Sequence, residues 1–199
     1  PNVTRIREGN ALYLANILQV GHGSVLEHAQ LNFIFADVSR VVTHELVRHR
    51  AGVAISQESL RFVRLDALSA YVPLHIRESE EGMALFVRTF EELERLQREL
   101  ADLYGIDDEK KFDVKKKLTS AFRRMAPIGV ATTIGWSCNF RTLRHVVEMR
   151  TDPHAEEEIR FLFGMVYRLV RERYPNLFSD YEETLVDGLP WVRTAHAKV

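Results

Sequence analysis

Cysteine is almost missing from this 199-residue chain. Cys138 is the only one, so no intramolecular disulfide framework can hold the fold, and the usage fits a reducing compartment. As an apolar, strand-end thiol it reads as an inert core residue. Long apolar runs are also lacking: nothing approaches the roughly 18 residues of a membrane helix, and no charged-then-apolar leader opens the chain. A soluble, cytoplasmic protein with no membrane partner is expected. Neither sign of charge is in excess. Lys and Arg number 27 against 28 Asp and Glu, a formal charge of −1 that argues against a general polyanion binder and makes any basic patch local. Glycine-rich phosphate loops are absent too. Gly21 to Leu26 reads G-x-G-x-x-L, without the third glycine and after a helical rather than a strand pattern, and no G-x-x-x-x-G-K-[ST] exists. His44-Glu45 opens like a zinc-protease motif, but the next histidine, His49, is five residues on. Helical geometry places it about 140° away, so no metal site is expected.

A hydrophobic content of 46% in 199 residues supports one sizeable core, and no repeat or low-complexity linker divides the chain. A single domain over 1–199 is expected. The chain opens at Pro1 without an initiator methionine, so a truncated N-terminal segment is one expectation.

The apolar spacing of Leu12, Leu14, Ile17 and Leu18 predicts a helix from Asn10 to Val20, ended by Gly21-His22-Gly23. Residues 29–37 read as a strand, and Val41, Leu46 and Val47 as a helix that delivers Arg48 to Arg50 at its C-terminal end. Phe62 to Tyr71 reads as extended, stopped by Pro73. Phe86, Phe90, Leu93, Leu96, Leu100 and Leu103 mark a long helix closed by Gly105. A basic helix follows from about Asp108 to Met125, ended by Pro127 with Arg123 and Arg124 in its last turn. Val130 to Trp136 is β-branched and predicts a strand; Asn139 to Arg150 predicts a helix. Asp152-Pro153 offers an N-cap and first-turn proline for a last helix with the stripe Ile159, Leu162, Phe163, Val166, Tyr167 and Val170. The predicted class is α+β, an antiparallel-type sheet packed with long helices.

The densest polar constellation is Arg48-His49-Arg50, eight further residues, then Ser59-Leu60-Arg61, with no lysine between Arg48 and Arg64. Planar guanidinium forks suit phosphate or an ionised heterocycle better than a solvated ammonium does. A structural reading competes: basic residues complement a helix C-terminus, Gly52 would be the stop signal, and Glu45 could pair with Arg48 and His49. The run Ser56-Gln57-Glu58-Ser59 favours a binding loop on a rigid scaffold. A second constellation is Asn139-Phe140-Arg141, His145, Arg150 and His154. Arg141 and His145 share a helical face, and Arg144 and Glu148 can pair on an adjacent one. Both clusters could converge on one anionic ligand.

Together these motifs resemble the flavin-dependent thymidylate synthase family, whose signature is RHR, then a serine seven or eight residues on, then x-R. His28 in Glu27-His28-Ala29 resembles the family's flavin-facing histidine. Asn139-x-Arg141, His145, Arg150, Asp152 and His154 resemble its second motif in order and spacing, and Arg123 falls where the family has a substrate arginine. The resemblance covers roughly residues 20 to 175. It implies reductive methylation of dUMP to dTMP, with 5,10-methylenetetrahydrofolate as carbon donor, FAD as hydride carrier and NADPH as reductant. It further implies a homotetramer whose active sites are shared between subunits, small-molecule ligands and no nucleic-acid partner.

By the same resemblance Arg150 is the catalytic residue, stabilising charge on the pyrimidine. Glu45, Leu46, Val47, Arg48, Gln57, Glu58, Ser59, Leu60, Arg61, Arg123 and Arg150 are substrate-binding positions, and Ser59 binds rather than attacks. The flavin positions are His28, Gln30, Arg48, His49, Arg50, Gln57, Asn139, Phe140, Arg141 and His145. Departures from some members are Phe62 for tyrosine, Glu45 for glutamine and His145 for asparagine. Two other functions use the same residues: a non-catalytic nucleotide or single-stranded nucleic-acid binder, and a metal-dependent nucleotide hydrolase built from the histidines. Near-zero net charge and the lack of clean metal-ligand spacing weigh against both.

Overall fold

The computed structural model describes residues 9–61, 65, 67–197 and 199. In chain order they form α1 (Ala11–Val20), β1 (Gln30–Ser39), α2 (Arg40–Leu46), β2 (Val53–Gln57), α3 (Leu74–Arg77), α4 (Glu80–Leu103) and α5 (Phe112–Phe122). Then come β3 (Ala131–Asn139), α6 (Phe140–Thr151), α7 (Glu157–Arg173), α8 (Pro175–Phe178), β4 (Tyr181–Val186) and β5 (Leu189–Thr194). Short 3-10 turns occupy Gly23–Glu27 and Arg123–Met125. The fold is therefore a mixture of helices with antiparallel sheet, in the strand orders β1-β3-β2 and β4-β5.

Strand direction follows from backbone bonds. Asn139 N–H donates to Gly52 O and Glu58 N–H to Thr133 O, so β2 ascends as β3 descends; Phe140 N–H to Ala29 O and Arg40 N–H to Val130 O fix β1 the same way. The central strand alternates as a pleat with one buried face requires, with Thr132, Ile134, Trp136 and Cys138 buried.

The chain divides into two compact units. The first comprises Pro1–Phe33, His49–Ala54 and Ser137–Val199. Its core is the seam between α6 and α7, where Leu143, Val146, Val147, Ile159, Phe163 and Tyr167 are fully buried. The predicted α7 stripe is buried at all six positions named from the sequence. Asn139 caps α6, its Oδ1 accepting Thr142 N–H at 2.8 Å.

The predicted start of α7 is corrected. Asp152 ends α6, and its carboxylate accepts His154 N–H in a local turn. Glu156 is the actual N-cap, accepting from Glu158 and Ile159, with Glu157 and Glu158 favoured by the dipole in the first turn. Sequence reading also missed the β4-β5 hairpin, whose left-handed Asp187 (φ 54°) and Gly188 (φ 75°) give the mirror-image turn that matches strand twist.

At the centre of this unit Arg144 is 1% exposed. Its two terminal nitrogens reach the Asp180 carboxylate at 2.9 and 2.7 Å, and one also reaches Leu177 O at 2.5 Å. The Tyr181 ring lies 4.7 Å from the guanidinium, and Tyr181 Oη donates back to Arg144 O at 2.9 Å. The predicted Arg144–Glu148 pairing is thus replaced by a bidentate pair with the hairpin's lead-in residue, because Arg144 faces the core rather than solvent.

The second unit comprises Ile34–Arg48 and Ile55–Trp136. Trp136 is sealed against Phe35, their ring centroids 6.1 Å apart. Leu60, Leu65 and Val130 form one apolar cluster, and Ala101, Ile106 and Phe122 another. Helix α4 starts earlier than its apolar stripe, at the Ser79 cap, and its predicted last stripe residue, Leu103, is 75% exposed. The basic helix begins at Phe112 rather than near Asp108, after a turn, and tightens into a 3-10 turn before Pro127. Ser56 and Gln57 lie on β2, not in a loop, since Val53-Ala54-Ile55 starts a strand that carries them. Only Glu58 and Ser59 of that run follow the strand. Of the extended reading over 62–71, residues 62–64 and 66 lie outside the described residues, while Ala70 bridges Val130.

Replacing Arg144 with alanine strands the Asp180 carboxylate, and the expected cost is about 3–5 kcal/mol in urea unfolding. Burial pushes the Asp180 carboxyl up, but hydrogen bonds from Arg144 and Thr194 outweigh it and hold the group below its ordinary value of 3.8. The resulting stability is present above that value and lost as pH falls through the lower folded one. Acid unfolding of Asp180→Asn should therefore be shallower than that of the wild type below about pH 4.

Candidate functional site

The first unit brings members of both sequence motifs together. Arg150, in the last turn of α6, donates from Nε to Nε2 of His49 at 2.8 Å. The rings of His49 and His145 stand edge to face, centroids 6.5 Å apart. His49 is half-buried, and burial, reinforced by the positive charge of Arg150 and by His145, lowers its pKa to about 4. It is therefore neutral at pH 7, and a bare Nε2 that accepts from Arg150 leaves the proton on Nδ1. The competing structural account, a helix C-cap in which Gly52 stops α2, does not describe the segment. Helix α2 ends at Leu46 with Val47 as its C-cap.

Gly52 has another task. At φ 66° it sits in the left-handed region, and a Cβ there would lie 2.3 Å from Asn139 Nδ2 and 2.6 Å from Thr142 Oγ1. The RHR turn is strapped to the start of α6 at this point, Thr142 Oγ1 also donating to Ala51 O at 2.9 Å. Asn139, predicted as a flavin position, spends its Oδ1 on the α6 cap. Phe140 is buried against Tyr174 and Phe178, so only its backbone could meet a ligand. Arg141 pairs with Glu27 at 2.5 Å, on the 3-10 turn that precedes His28. His28, Gln30, Arg48 and Arg50 are exposed.

The second unit holds the predicted substrate segment. Leu46 and Leu60 are core residues, which confines any ligand contact to their backbones, while Val47, Glu58, Arg61 and Arg123 are exposed and Glu45, Gln57 and Ser59 half-buried. Ser59 Oγ accepts Arg61 N–H at 3.3 Å, shaping the turn after β2.

Arg40 is the residue that sequence reading missed. It reaches Glu58 O at 3.2 Å and Thr132 Oγ1 at 3.4 Å, and its buried Nε has no hydrogen-bond partner among the described residues. Burial lowers its pKa, and the positive charge of Arg123 lowers it further, against the opposing pull of Glu58. Two like-charged guanidinium groups, one of them hydrogen-bonded to Glu58 O, form a cationic pair that would attract an anion. A signal for Arg40 did exist in the sequence, since it opens a helix, where the macrodipole disfavours a cation.

Cys138 is fully buried and its thiol is pushed up to about 12 by burial, so it offers no nucleophile near neutral pH. Phe62, named above as a departure, lies outside the described residues. Among the described residues no helix is long and apolar enough to cross a membrane.

A family model described as thymidylate synthase complementing protein matches residues 2–176. A flavin-dependent thymidylate synthase of Corynebacterium glutamicum is 38% identical over 184 residues, covering 90% of this chain and 73% of its own. The chain belongs to the flavin-dependent thymidylate synthase family. An enzyme of that name from Mycolicibacterium gilvum is 37% identical over 188 residues, with the same 90% and 73% shares. Thymidylate synthase X of Helicobacter pylori, solved with FAD and dUMP, has the same fold, with a TM-score of 0.64 at 23% identity over 87% of this chain and 85% of that one. The match to the flavin-dependent thymidylate synthase family takes in both motifs and Arg40, and ends before the β4-β5 hairpin.

Gly52→Ala should be costly because strain at positive φ and the clash with Asn139 act together. A loss of about 2–4 kcal/mol is expected in thermal or urea unfolding, from left-handed strain plus overpacking. A cost under about 1 kcal/mol, the size of a plain Gly-to-Ala backbone effect, would mean that the strap to α6 is loose.

Proposed function

We propose that this chain makes dTMP by reductive methylation of dUMP, taking its carbon from 5,10-methylenetetrahydrofolate, with FAD as hydride carrier and NADPH as reductant. The supporting observation is the Arg150–His49 hydrogen bond, which joins two motifs 101 residues apart in a chain of this family. The protein acts as one domain over 1–199, as a cytoplasmic homotetramer with shared active sites.

In this reading Arg150 is the catalytic group. It stabilises negative charge on the pyrimidine so that C5 can act as a nucleophile, and no cysteine adduct is needed. Arg40, Arg123, Ser59 and Arg61 hold the phosphate, and an anion between Arg40 and Arg123 relieves their mutual repulsion. Glu45, Leu46, Val47, Arg48, Gln57, Glu58 and Leu60 line the sugar and base, the two leucines through their backbones.

The donor set also fits an anionic dinucleotide. Arg48 and Arg50 are exposed beyond α2, and Arg141 stands in the first turn of α6, where the helix dipole adds positive potential. His28, Gln30, His49, Gln57, Asn139, Phe140 and His145 complete the flavin positions. A bound flavin supplies hydride transfer, while the chain supplies orientation and charge. A non-catalytic nucleotide or single-stranded nucleic-acid binder using the same arginines finds no support among the relatives, which are named as synthases.

Purified protein should be yellow, or become so with FAD, and should oxidise NADPH faster when dUMP is present. A colourless protein unable to take up FAD would refute the reading. Arg150→Ala should lower turnover about 10²–10³-fold, the scale of removing one charge-stabilising donor, while flavin content falls far less. Equal loss of both would reassign Arg150 to holding the flavin.

A further inference from the structure

A hydrogen bond between two groups that both carry positive charge when protonated needs one of them neutral. A guanidinium has no lone pair with which to accept, so the accepting, neutral partner is His49. The contact runs from Arg150 Nε to His49 Nε2 at 2.8 Å, a good length for N–H donation to a bare imidazole nitrogen. A guanidinium is planar, so anchoring Nε restricts the orientation of the whole fork. His49 is held in turn: the turn that follows it is tied to the end of β3 and the start of α6 through Asn139 N–H to Gly52 O and Thr142 Oγ1 to Ala51 O. Arg150 itself stands near the end of α6, a helix packed on α7 and clamped by Arg144.

We infer that His49, as the neutral Nδ1–H tautomer, is a positioning residue that fixes the plane of the Arg150 guanidinium against the pyrimidine. This rests on the proposed catalytic role of Arg150 and adds to any flavin contact of His49. Among the described residues, the charged and titratable groups facing His49 are Arg150 and His145, both on α6, and Arg48 and Arg50 flank it in sequence. All four are basic or can become so, and none would stabilise an imidazolium. Protonating His49 removes the acceptor and places a second charge against Arg150.

The sign of the pH effect follows. The folded state holds the neutral ring down to about pH 4, whereas the unfolded chain protonates it near 6.5. The stability contributed by the neutral form is complete above 6.5 and is lost as pH falls towards 4.

Two measurements on the full-length, flavin-loaded protein test the inference. Ring ¹⁵N shifts of histidine at pH 7 should show His49 with an unprotonated Nε2 and a protonated Nδ1, and Arg150→Ala should shift the Nε2 signal. A protonated Nε2, or an Nε2 signal indifferent to Arg150→Ala, would overturn it. Kinetically, His49→Ala should lower kcat about 10- to 100-fold, the usual scale for losing an orienting partner, with FAD content largely retained. His49→Gln, whose amide oxygen reaches the place of Nε2, should recover part of that loss. The double variant His49→Ala, Arg150→Ala should turn over no more slowly than Arg150→Ala alone. Multiplying losses in the double variant, or no recovery by glutamine, would show that His49 acts independently of Arg150. Should the wild type take up FAD yet form no dTMP, the proposed function fails, and the positioning role fails with it; the tautomer then reports the contact alone.

Discussion

The buried bidentate pair of Arg144 with Asp180 is the constraint on which the first unit turns. A guanidinium with 1% exposure cannot be left without a counter-charge, and this one is answered by a carboxylate, a backbone carbonyl and an aromatic face. Its neighbours along α6 include the residues of the candidate site. One residue towards the C-terminus is His145, and a turn and a half beyond lies Arg150; Arg141 is nearly a turn towards the N-terminus. The same helix therefore presents one basic residue to the core and several to the candidate site. Clamping Arg144 sets the rotation of α6, and with it the direction in which the others project.

Electrostatics tell a consistent story in both units. The chain is nearly neutral overall, yet it gathers like charges locally, Arg150 with His49 and His145 in one unit and Arg40 with Arg123 in the other. Such groupings cost stability by themselves and are stored at functional sites. Each unit solves the problem differently. In the first, a histidine gives up its charge and becomes an acceptor. In the second, Arg40 leans on the Glu58 carbonyl and Thr132 while its repulsion from Arg123 persists.

Much of this was legible in the sequence, for identifiable reasons. The long helices were readable because their apolar residues recur with the helical period, and α6 because Asn139 is a strong cap. Both motifs were visible as dense polar runs. What the sequence hid was context. Asp152-Pro153 has the composition of a helix start, but the Glu156 carboxylate caps the first turn instead. Arg144 has the spacing to pair with Glu148, but the hairpin buries it and supplies Asp180. Ser56 and Gln57 look like loop residues until Val53 to Ile55 draw them into a strand. Gly52 looked like a helix stop, and only the proximity of Asn139 reveals why a side chain cannot stand there. Arg40 carries only the weak signal of a cation at a helix start and belongs to no motif; its meaning comes from Arg123, far away in the sequence.

The sealed sulfur of Cys138 bears on how such a protein meets its surroundings. A catalyst that attacks through an activated thiolate must leave that sulfur open to solvent, and peroxides and alkylating electrophiles reach it by the same door as the substrate. Here the single sulfhydryl lies wholly inside the sheet and stays protonated far above neutrality. The polar side chains of the candidate site are guanidinium and imidazole groups, and neither is consumed by thiol oxidants. The one sulfhydryl of this sequence is thereby shielded from the peroxides and electrophiles that consume an exposed thiolate.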